Sequence, residues 1–246
     1  MSDLETALTA AAVVLVCAFL KGIVGFGFPT TSTSLLALFV DVKIAVVLVI
    51  VPNIVMDGVQ MARRGHVLAT ARRLAPVLVA GSVGIVLGTK LLVMLPAWTA
   101  TLVLGLFTLA FVALDVTSFS PRLPPRSERW AGPIAGLTSG VVGGLTNTPG
   151  TVLVMLFYAL RLPKDEFVRS TALSFVVLKL VQLGAVSHFG LMSSRLLGLS
   201  LGLTAVALLG FYAGLHVQDR LDQRRFNRAV LIFLAATGLW LIYRSL

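Results

Sequence analysis

The chain has 246 residues, of which 57% are apolar and only 12% are charged. Soluble domains carry charges on roughly a quarter of their residues, so this chain lacks the polar surface that a soluble protein of its length needs. The composition excludes a soluble domain, a disordered chain, a coiled coil and a disulfide-stapled secreted domain, and it predicts an integral membrane protein. Lys and Arg number 20 against 10 Asp and Glu, which leaves a net charge of +10 whose placement along the chain decides its meaning.

Ten apolar segments follow one another along the chain. A helix rises about 1.5 Å per residue, so about 20 residues are needed to cross about 30 Å of hydrocarbon. The N-terminus is acidic and lacks the positive charge of a signal peptide, so the first segment, residues 6–21, is expected to be a retained helix. Segments 28–40 and 149–161 have 13 residues each and are too short to cross alone. Segments 44–62, 74–95, 97–115, 167–189 and 196–217 are long enough to span, whereas 131–145 and 229–244 are shorter.

Each short segment follows a Gly-rich break in the apolar pattern. The first break covers residues 21–29 and the second covers residues 139–150. Gly22 in the first break matches Gly140 in the second at an offset of 118. The two short segments therefore occupy corresponding places in the two halves of the chain.

Further matches beyond the breaks make the chain a tandem repeat. Gln60 matches Gln182 at an offset of 122. Small residues four apart on a helix let a second helix approach closely, so such pairs predict helix–helix contacts. Two pairs of this kind match at an offset of 126: Gly84 with Gly88, and Gly210 with Gly214.

Positive charge predicts the orientation of the two halves, because Lys and Arg accumulate in short cytoplasmic loops. With the four arginines of residues 63–73 placed inside, the cations within 122–129, 161–169 and 220–228 fall inside as well, and 14 of the 20 cations become cytoplasmic. Both termini then lie outside the cell. Each half makes an odd number of net crossings, so the second half is inverted relative to the first.

The predicted fold is all-α, a polytopic transmembrane helical bundle of two inverted repeats. The first repeat covers residues 1–120 and the second covers 121–246 within one membrane domain. Each repeat has five apolar segments and a broken or re-entrant helical hairpin. The net charge is explained by membrane topology, so no nucleic-acid partner is expected.

Cysteine and histidine content argues against a metal centre or an enzyme. Cys17 is the only cysteine and lies in an apolar run, so neither an intrachain disulfide nor a thiolate metal site can form. His66, His188 and His216 are too scattered to suggest a metal motif by spacing. No Ser-His-Asp set, paired carboxylates or His-Glu-x-x-His pattern is present. We therefore expect no cofactor, no metal and no enzymatic activity.

The two breaks predict a binding site for a small anion. A broken helix leaves free N–H groups and a positive dipole end at the start of its second part, and such ends bind anions. Hydroxyl and amide residues that favour helix N-caps flank both breaks, with Pro near the first helical position. The N–H groups of Gly150 and Thr151 are expected to point into the gap, and the small Gly150 leaves room for an anion. The predicted substrate-binding residues at the breaks are Gly25, Gly27, Pro29, Thr30, Thr31, Ser32, Thr146, Asn147, Thr148 and Gly150.

Polar side chains inside the long segments complete the predicted site, because such residues are costly in a membrane and usually functional. Asn53 and Asp57 share one helical face, and Lys179 and Gln182 share the corresponding face in the second half. We assign Asn53, Lys179 and Gln182, together with Lys21, to substrate binding. Asp57 is the one carboxylate deep in a segment and is assigned to coupling with a proton or a sodium ion.

Other partners for these ionisable residues remain open at this point. Helix positions place Asp57 and Lys179 several ångström apart in depth, which argues against a direct pair. Asp57 could instead lie near the cytoplasmic interface and pair with Arg63 or Arg64. Lys179 could be satisfied by backbone carbonyl groups, and Lys21 could be a loop cation that snorkels to the interface.

In these residues the chain resembles the sulfite exporter TauE/SafE family, also called the 4-toluene sulfonate uptake permease family. The stretches that carry the resemblance are 21–38, 51–60 and 136–182, and the likeness extends over essentially the whole chain. Many relatives carry a Gly-Gly-Gly cluster in each hairpin, where this chain has Gly-Phe-Gly-Phe-Pro at 25–29 and Asn-Thr-Pro-Gly at 147–150. The resemblance implies multi-pass transport of sulfite, sulfoacetate or other small organosulfonates across the bacterial or archaeal inner membrane.

The sequence therefore predicts a transporter that moves small sulfur-containing anions by alternating access between its two repeats. Export is the expected direction, because a negative cell interior favours anion exit by about 2.3 kcal/mol per charge per 100 mV. Uptake would need a coupling ion, and Asp57 is its expected carrier. The alternatives are an anion channel with the same site, or a non-transport intramembrane enzyme or assembly factor. The sequence leaves the exact substrate and the oligomeric state open.

Overall fold

A computed structural model describes residues 3–25, 27–62, 67–116, 123–148 and 150–217, with five single residues between 235 and 243. These ranges contain α-helices, one short 3-10 turn and no β-strand, which confirms the all-α prediction. Apart from those five residues, the predicted segment 229–244 lies outside the described ranges, as do the cations at 63–64, 122 and 220–228. The helices are α1 (Asp3–Val24), α2 (Phe28–Leu36), α3 (Val42–Ala62), α4 (Val67–Met94), α5 (Ala97–Val116), α6 (Glu128–Thr146), α7 (Gly150–Ala159), α8 (Lys164–His188) and α9 (Ser194–Val217).

Four of these helices are long and apolar enough to cross a membrane. They are α3, α4, α8 and α9, and they coincide with four of the five segments that the sequence predicts to span. The fifth predicted segment forms α5, whose described apolar stretch, Ala97–Ala110, is shorter. The chain is therefore a multi-pass helical protein by the length and composition of its described helices.

Both predicted breaks separate a long helix from a short one. Helix α1 ends before Gly25, which has a φ of 93° and donates its N–H to the Lys21 carbonyl at 2.7 Å. Helix α6 ends before Asn147, which has a φ of 65° and donates to the Gly143 carbonyl at 2.9 Å. Left-handed residues of this kind terminate helices. The short arms α2 and α7 have 9 and 10 residues, so each extends only about 15 Å and cannot span alone.

The long arm of each hairpin packs against a helix of the other half, α1 against α9 and α6 against α4. These contacts are close because glycines bring the two backbones together. A Cβ at Gly84 would lie 2.3 Å from the Leu137 carbonyl oxygen, and a Cβ at Gly214 would lie 2.2 Å from the Phe19 carbonyl oxygen. The helix contacts predicted from the paired glycines are therefore confirmed.

The same contacts correct the register of the two breaks. Gly22 lies against α9 at Phe211, whereas its equivalent against α4 at Ile85 is Gly144. The offset is thus 122 and not 118, and the predicted match of Gly22 with Gly140 is wrong. The mismatch arises because the sequence comparison pairs glycines by identity. In the packed structure, the left-handed position held by Gly25 in the first half belongs to Asn147 in the second.

Apolar side chains form two clusters beneath the hairpins. The larger cluster joins mainly α1, α2, α3, α5 and α9, and the smaller joins α4, α6, α7 and α8. Each short arm contributes to one of them, through Phe28 for α2 and Phe157 for α7. The clusters hold both breaks against the long helices that carry the buried polar residues.

Candidate functional site

A buried ion pair joins the end of α1 to the middle of α3. The ammonium of Lys21 lies 2.5 Å from Asp57 Oδ1 and donates to Asn53 Oδ1 at 3.1 Å. Asn53 and Asp57 are one helical turn apart, so both reach the same ammonium. Lys21 and Asp57 are each 1% exposed. Lys21 is therefore not a snorkelling loop cation, because the break in the hairpin ends α1 just beyond it and directs it against α3.

The pairing of Asp57 answers one of the open alternatives from the sequence. Its ion-pair partner is Lys21, which the sequence analysis did not propose for it. Arg63 and Arg64, the alternative partners, lie outside the described residues. Lys179 interacts with Asp57 electrostatically but forms no ion pair with it in the described structure, as the difference in depth predicts.

Lys179 belongs to α8, where it lies beside the end of α6, and it is completely buried. Its ammonium donates to Asn147 Oδ1, to the Asn147 carbonyl at 3.4 Å and to Gln182 Oε1 at 2.6 Å. Gln182 in turn donates to the Gly143 carbonyl at 3.2 Å. Only one of the three acceptors of Lys179 is a backbone carbonyl, and all three are electrically neutral. The Lys179 nitrogen is thus held only by neutral oxygens at the point where α6 ends.

Asn147 also connects the two hairpins. Its amide nitrogen donates to Thr33 Oγ1 in α2 at 2.8 Å, across 114 positions of sequence. Thr33 is fully buried and was not among the residues predicted from the sequence. Lys179, Asn147 and Thr33 therefore form a continuous polar contact from α8 through the second break to the first short arm.

The predicted hydroxyl groups of the first short arm lie beside this junction but bind their own helix. Thr31 donates to the Gly27 carbonyl at 3.1 Å, and Ser32 donates to the Phe28 carbonyl at 2.5 Å. Pro29 and Thr30 are also buried in the first turn of α2. Gly27, with a φ of 91°, precedes that turn without a side-chain cap. Gly27 has no side chain, so it cannot cap the N–H groups at the start of α2.

The second break differs from the expectation at Gly150. Thr146 and Thr148 are buried, and their hydroxyl oxygens lie 2.5 Å apart. A Cβ at Gly150 would lie 2.9 Å from Cζ of Phe175, so this glycine packs against an aromatic ring instead of leaving an open space for an anion. The sequence could not show this contact because Phe175 belongs to a different helix. Pro149 lies outside the described residues.

Several buried polar atoms near these residues have no hydrogen-bond partner within the described structure. Buried polar groups are normally satisfied, so each such atom is free to meet water or a ligand. Three are on the α3 face, Asn53 Nδ2, Asp57 Oδ2 and Gln60 Oε1. The others are the hydroxyls of Thr89, Ser170, Thr171 and Ser174. None of these hydroxyls was assigned to the predicted site, because isolated Ser and Thr residues in apolar helices are common.

A second set of charged residues lies where α4, α6 and α8 approach one another. Arg73 Nε lies 3.1 Å from Glu128 Oε1, and the same guanidinium contacts Glu166. Arg169 Nε donates to Thr70 Oγ1 at 2.7 Å. These groups are partly exposed, and they join the first half of the chain to the second. Among the described residues, no group of three or more His, Cys, Asp or Glu could hold a metal ion.

Membrane-length helices, two broken helical hairpins and a charged cluster buried between them define a polytopic helical membrane protein with the parts of a transporter. The family described as Sulfite exporter TauE/SafE matches residues 10–241, nearly the whole chain, and the protein belongs to that family. The resemblance seen in the sequence is thereby confirmed. The family comprises membrane transporters of sulfur-containing anions, which agrees with the expectation that the chain is not an enzyme. Searches of curated proteins and of solved structures found no significant match.

Proposed function

We propose that this protein exports sulfite, sulfoacetate or other small organosulfonates across the cytoplasmic membrane. The observation that carries the proposal is the environment of Lys179, a completely buried ammonium held only by neutral oxygens. An unpaired buried charge is costly, and a bound anion is the ligand that offsets this cost. The position of Lys179 at the junction of both hairpins supports a site that both halves of the protein share.

The proposed site uses groups from both breaks. The uncapped start of α2, with Gly25, Gly27, Pro29, Thr30, Thr31 and Ser32, would supply a positive helix end. Asn53 Nδ2 has no partner among the described residues and is available to an anion oxygen. Asn147 carries the contact between the hairpins, and the anion would approach it from the side of Lys179 and Gln182. Lys21, Thr146, Thr148 and Gly150 would shape the site.

Alternating access would follow from motion of one repeat against the other. The swapped packing of α1 on α9 and of α6 on α4 supports two equivalent halves, with an offset of 122 between α1 and α6 and of 126 between α4 and α9. The ion pairs of Arg73 with Glu128 and Glu166 lie between the halves and would have to separate when the protein opens on that side. Asp57, with a free carboxylate oxygen, is the proposed carrier of a coupling proton or sodium ion.

We expect both termini to lie outside the cell, since 14 of the 20 cations fall in connections or helix ends assigned to the opposite side. An epitope tag placed before Met1 and another after Leu246 should both bind antibody on intact spheroplasts. A tag inserted between α5 and α6 should bind only after the membrane is permeabilised. A cytoplasmic C-terminus would contradict the inverted arrangement.

Purified protein in liposomes tests the transport proposal. We expect sulfite or sulfoacetate, among the candidate anions, to raise the melting temperature, because a ligand at about 100 times its dissociation constant adds about 2.7 kcal/mol of stability. The same ligand should leave loaded liposomes faster when their interior is negative, and unlabelled ligand outside should accelerate the exchange of labelled ligand inside. Currents of single-channel size would favour the channel alternative. No flux of any anion tested would refute the proposal.

A further inference from the structure

The charge of the buried cluster is uneven. Within the described residues, three charged side chains are buried: Lys21, Asp57 and Lys179. They interact electrostatically with one another, so they act as one cluster. Lys21 and Asp57 neutralise each other as an ion pair at 2.5 Å. Lys179 has only neutral hydrogen-bond partners, so with Lys179 protonated the cluster carries one positive charge more than it carries negative charges.

An excess of one positive charge is best matched by one negative charge. A monoanion beside Lys179 makes the cluster neutral. A dianion changes its net charge from one positive to one negative. The free energy of removing an ion from water grows with the square of its charge, so it is about four times larger for a dianion than for a monoanion of equal size. The free oxygen Oδ2 of Asp57 adds repulsion for the second negative charge.

We infer that this site selects its anion by charge and takes a monoanion in preference to a dianion of the same shape. Asp57 is the residue that sets this preference, because its carboxylate cancels the charge of Lys21 and leaves that of Lys179 alone. The inference rests on the proposed function, since it requires the anion to bind at Lys179. It assigns the site to sulfonates without a second acidic group, which carry one charge across the physiological pH range, and to singly protonated sulfite, and it disfavours sulfate and doubly charged sulfoacetate.

Unpartnered donors on the two helices that carry Asp57 and Lys179 are consistent with this selection. Asn53 Nδ2 and the hydroxyls of Thr171 and Ser174 have no partners among the described residues. They are neutral, so they can hydrogen-bond the oxygens of a sulfonate without changing the charge of the site. Charge selection therefore depends on the cluster and not on the groups that recognise the shape of the anion.

Methanesulfonate and sulfate provide a direct test, because both are tetrahedral at sulfur and differ by a methyl group, an oxygen and one charge. In calorimetric titrations of the purified protein, we expect methanesulfonate to bind at least about tenfold more tightly than sulfate. Asp57→Asn raises the excess charge of the cluster to two and should shift the ratio of the two affinities towards sulfate by at least about tenfold. The double variant Lys21→Met/Asp57→Asn restores an excess of one and should return the ratio to that of the unmodified protein.

A second variant keeps the test independent of the folding of Asp57→Asn. Gln182 Oε1 lies 2.6 Å from the ammonium of Lys179, so Gln182→Glu supplies a counter-charge with almost no change in shape. Its cluster is neutral, and we expect it to bind methanesulfonate at least about tenfold more weakly than the unmodified protein does.

The outcomes separate this inference from the proposed function. Sulfate binding as tight as methanesulfonate binding, or a ratio that Asp57→Asn and Gln182→Glu leave unchanged, would overturn charge selection while the transport site stands. If neither anion nor any other candidate binds the unmodified protein, the proposed function fails, and charge selection fails with it. Recovery of the ratio in the double variant supports the inference specifically, because both single and double variants face the same two anions.

Discussion

Replacement of Lys179 by methionine is expected to remove most of the anion affinity. Among the described residues, Lys179 is the buried charge that has no counter-ion among its partners, and methionine keeps most of the length and the apolar stem of its side chain. Truncating one member of a buried, hydrogen-bonded charge pair costs about 2–5 kcal/mol, so affinity should fall at least about 30-fold. Titration calorimetry of the purified variant with the best ligand measures this directly.

Lys90→Met is the matched control for Lys179→Met. Lys90 also lies within a membrane-length helix, α4, but its side chain is exposed. Loss of a positive charge there should leave affinity and melting temperature nearly unchanged. If Lys179→Met folds and binds the anion as tightly as the unmodified protein, Lys179 is a structural residue that holds the end of α6, and the anion binds elsewhere.

Replacement of Lys21 by methionine should destabilise the protein more than removal of the whole ion pair does. The single change leaves Asp57 buried with a charge and without the only ion-pair partner it has among the described residues. Breaking a buried pair in this way costs about 3–5 kcal/mol, whereas replacing both members with uncharged residues is often close to neutral. We therefore expect a large fall in melting temperature for Lys21→Met and recovery of most of it in Lys21→Met/Asp57→Asn.

Thermal unfolding of these variants in the same detergent, with Lys90→Met as the control, tests whether Lys21→Met melts at a lower temperature than the double variant. A double variant as unstable as Lys21→Met would show that the two residues contribute independently, against the 2.5 Å contact between them. Because the double variant also appears in the test of charge selection, its stability decides whether its affinities can be compared with those of the unmodified protein.

The sequence alone was sufficient for the class of protein and for the places where its helices break. Low charge and long apolar segments predict membrane helices wherever they are packed, because the hydrocarbon must be spanned and every backbone group in it must be satisfied. The Gly-rich breaks at 21–29 and 139–150 are local features, and both appear in the structure. Lys179 and Asp57 could also be singled out, since a charge in an apolar segment is costly whatever its partner.

The partners of these residues were decided by the tertiary structure. Lys21 reaches Asp57 across 36 positions, and Asn147 reaches Thr33 across 114, so no local pattern indicates either contact. The correspondence of Gly22 with Gly144 depends on how whole helices pack against one another, and so does the contact of Gly150 with the ring of Phe175. The free-energy cost of burying a charged side chain can be inferred from that residue and its neighbours in sequence. Satisfaction of a buried charge requires a second group at about 3 Å, and only the folded arrangement of the helices brings Lys21 to Asp57 and Lys179 to Asn147.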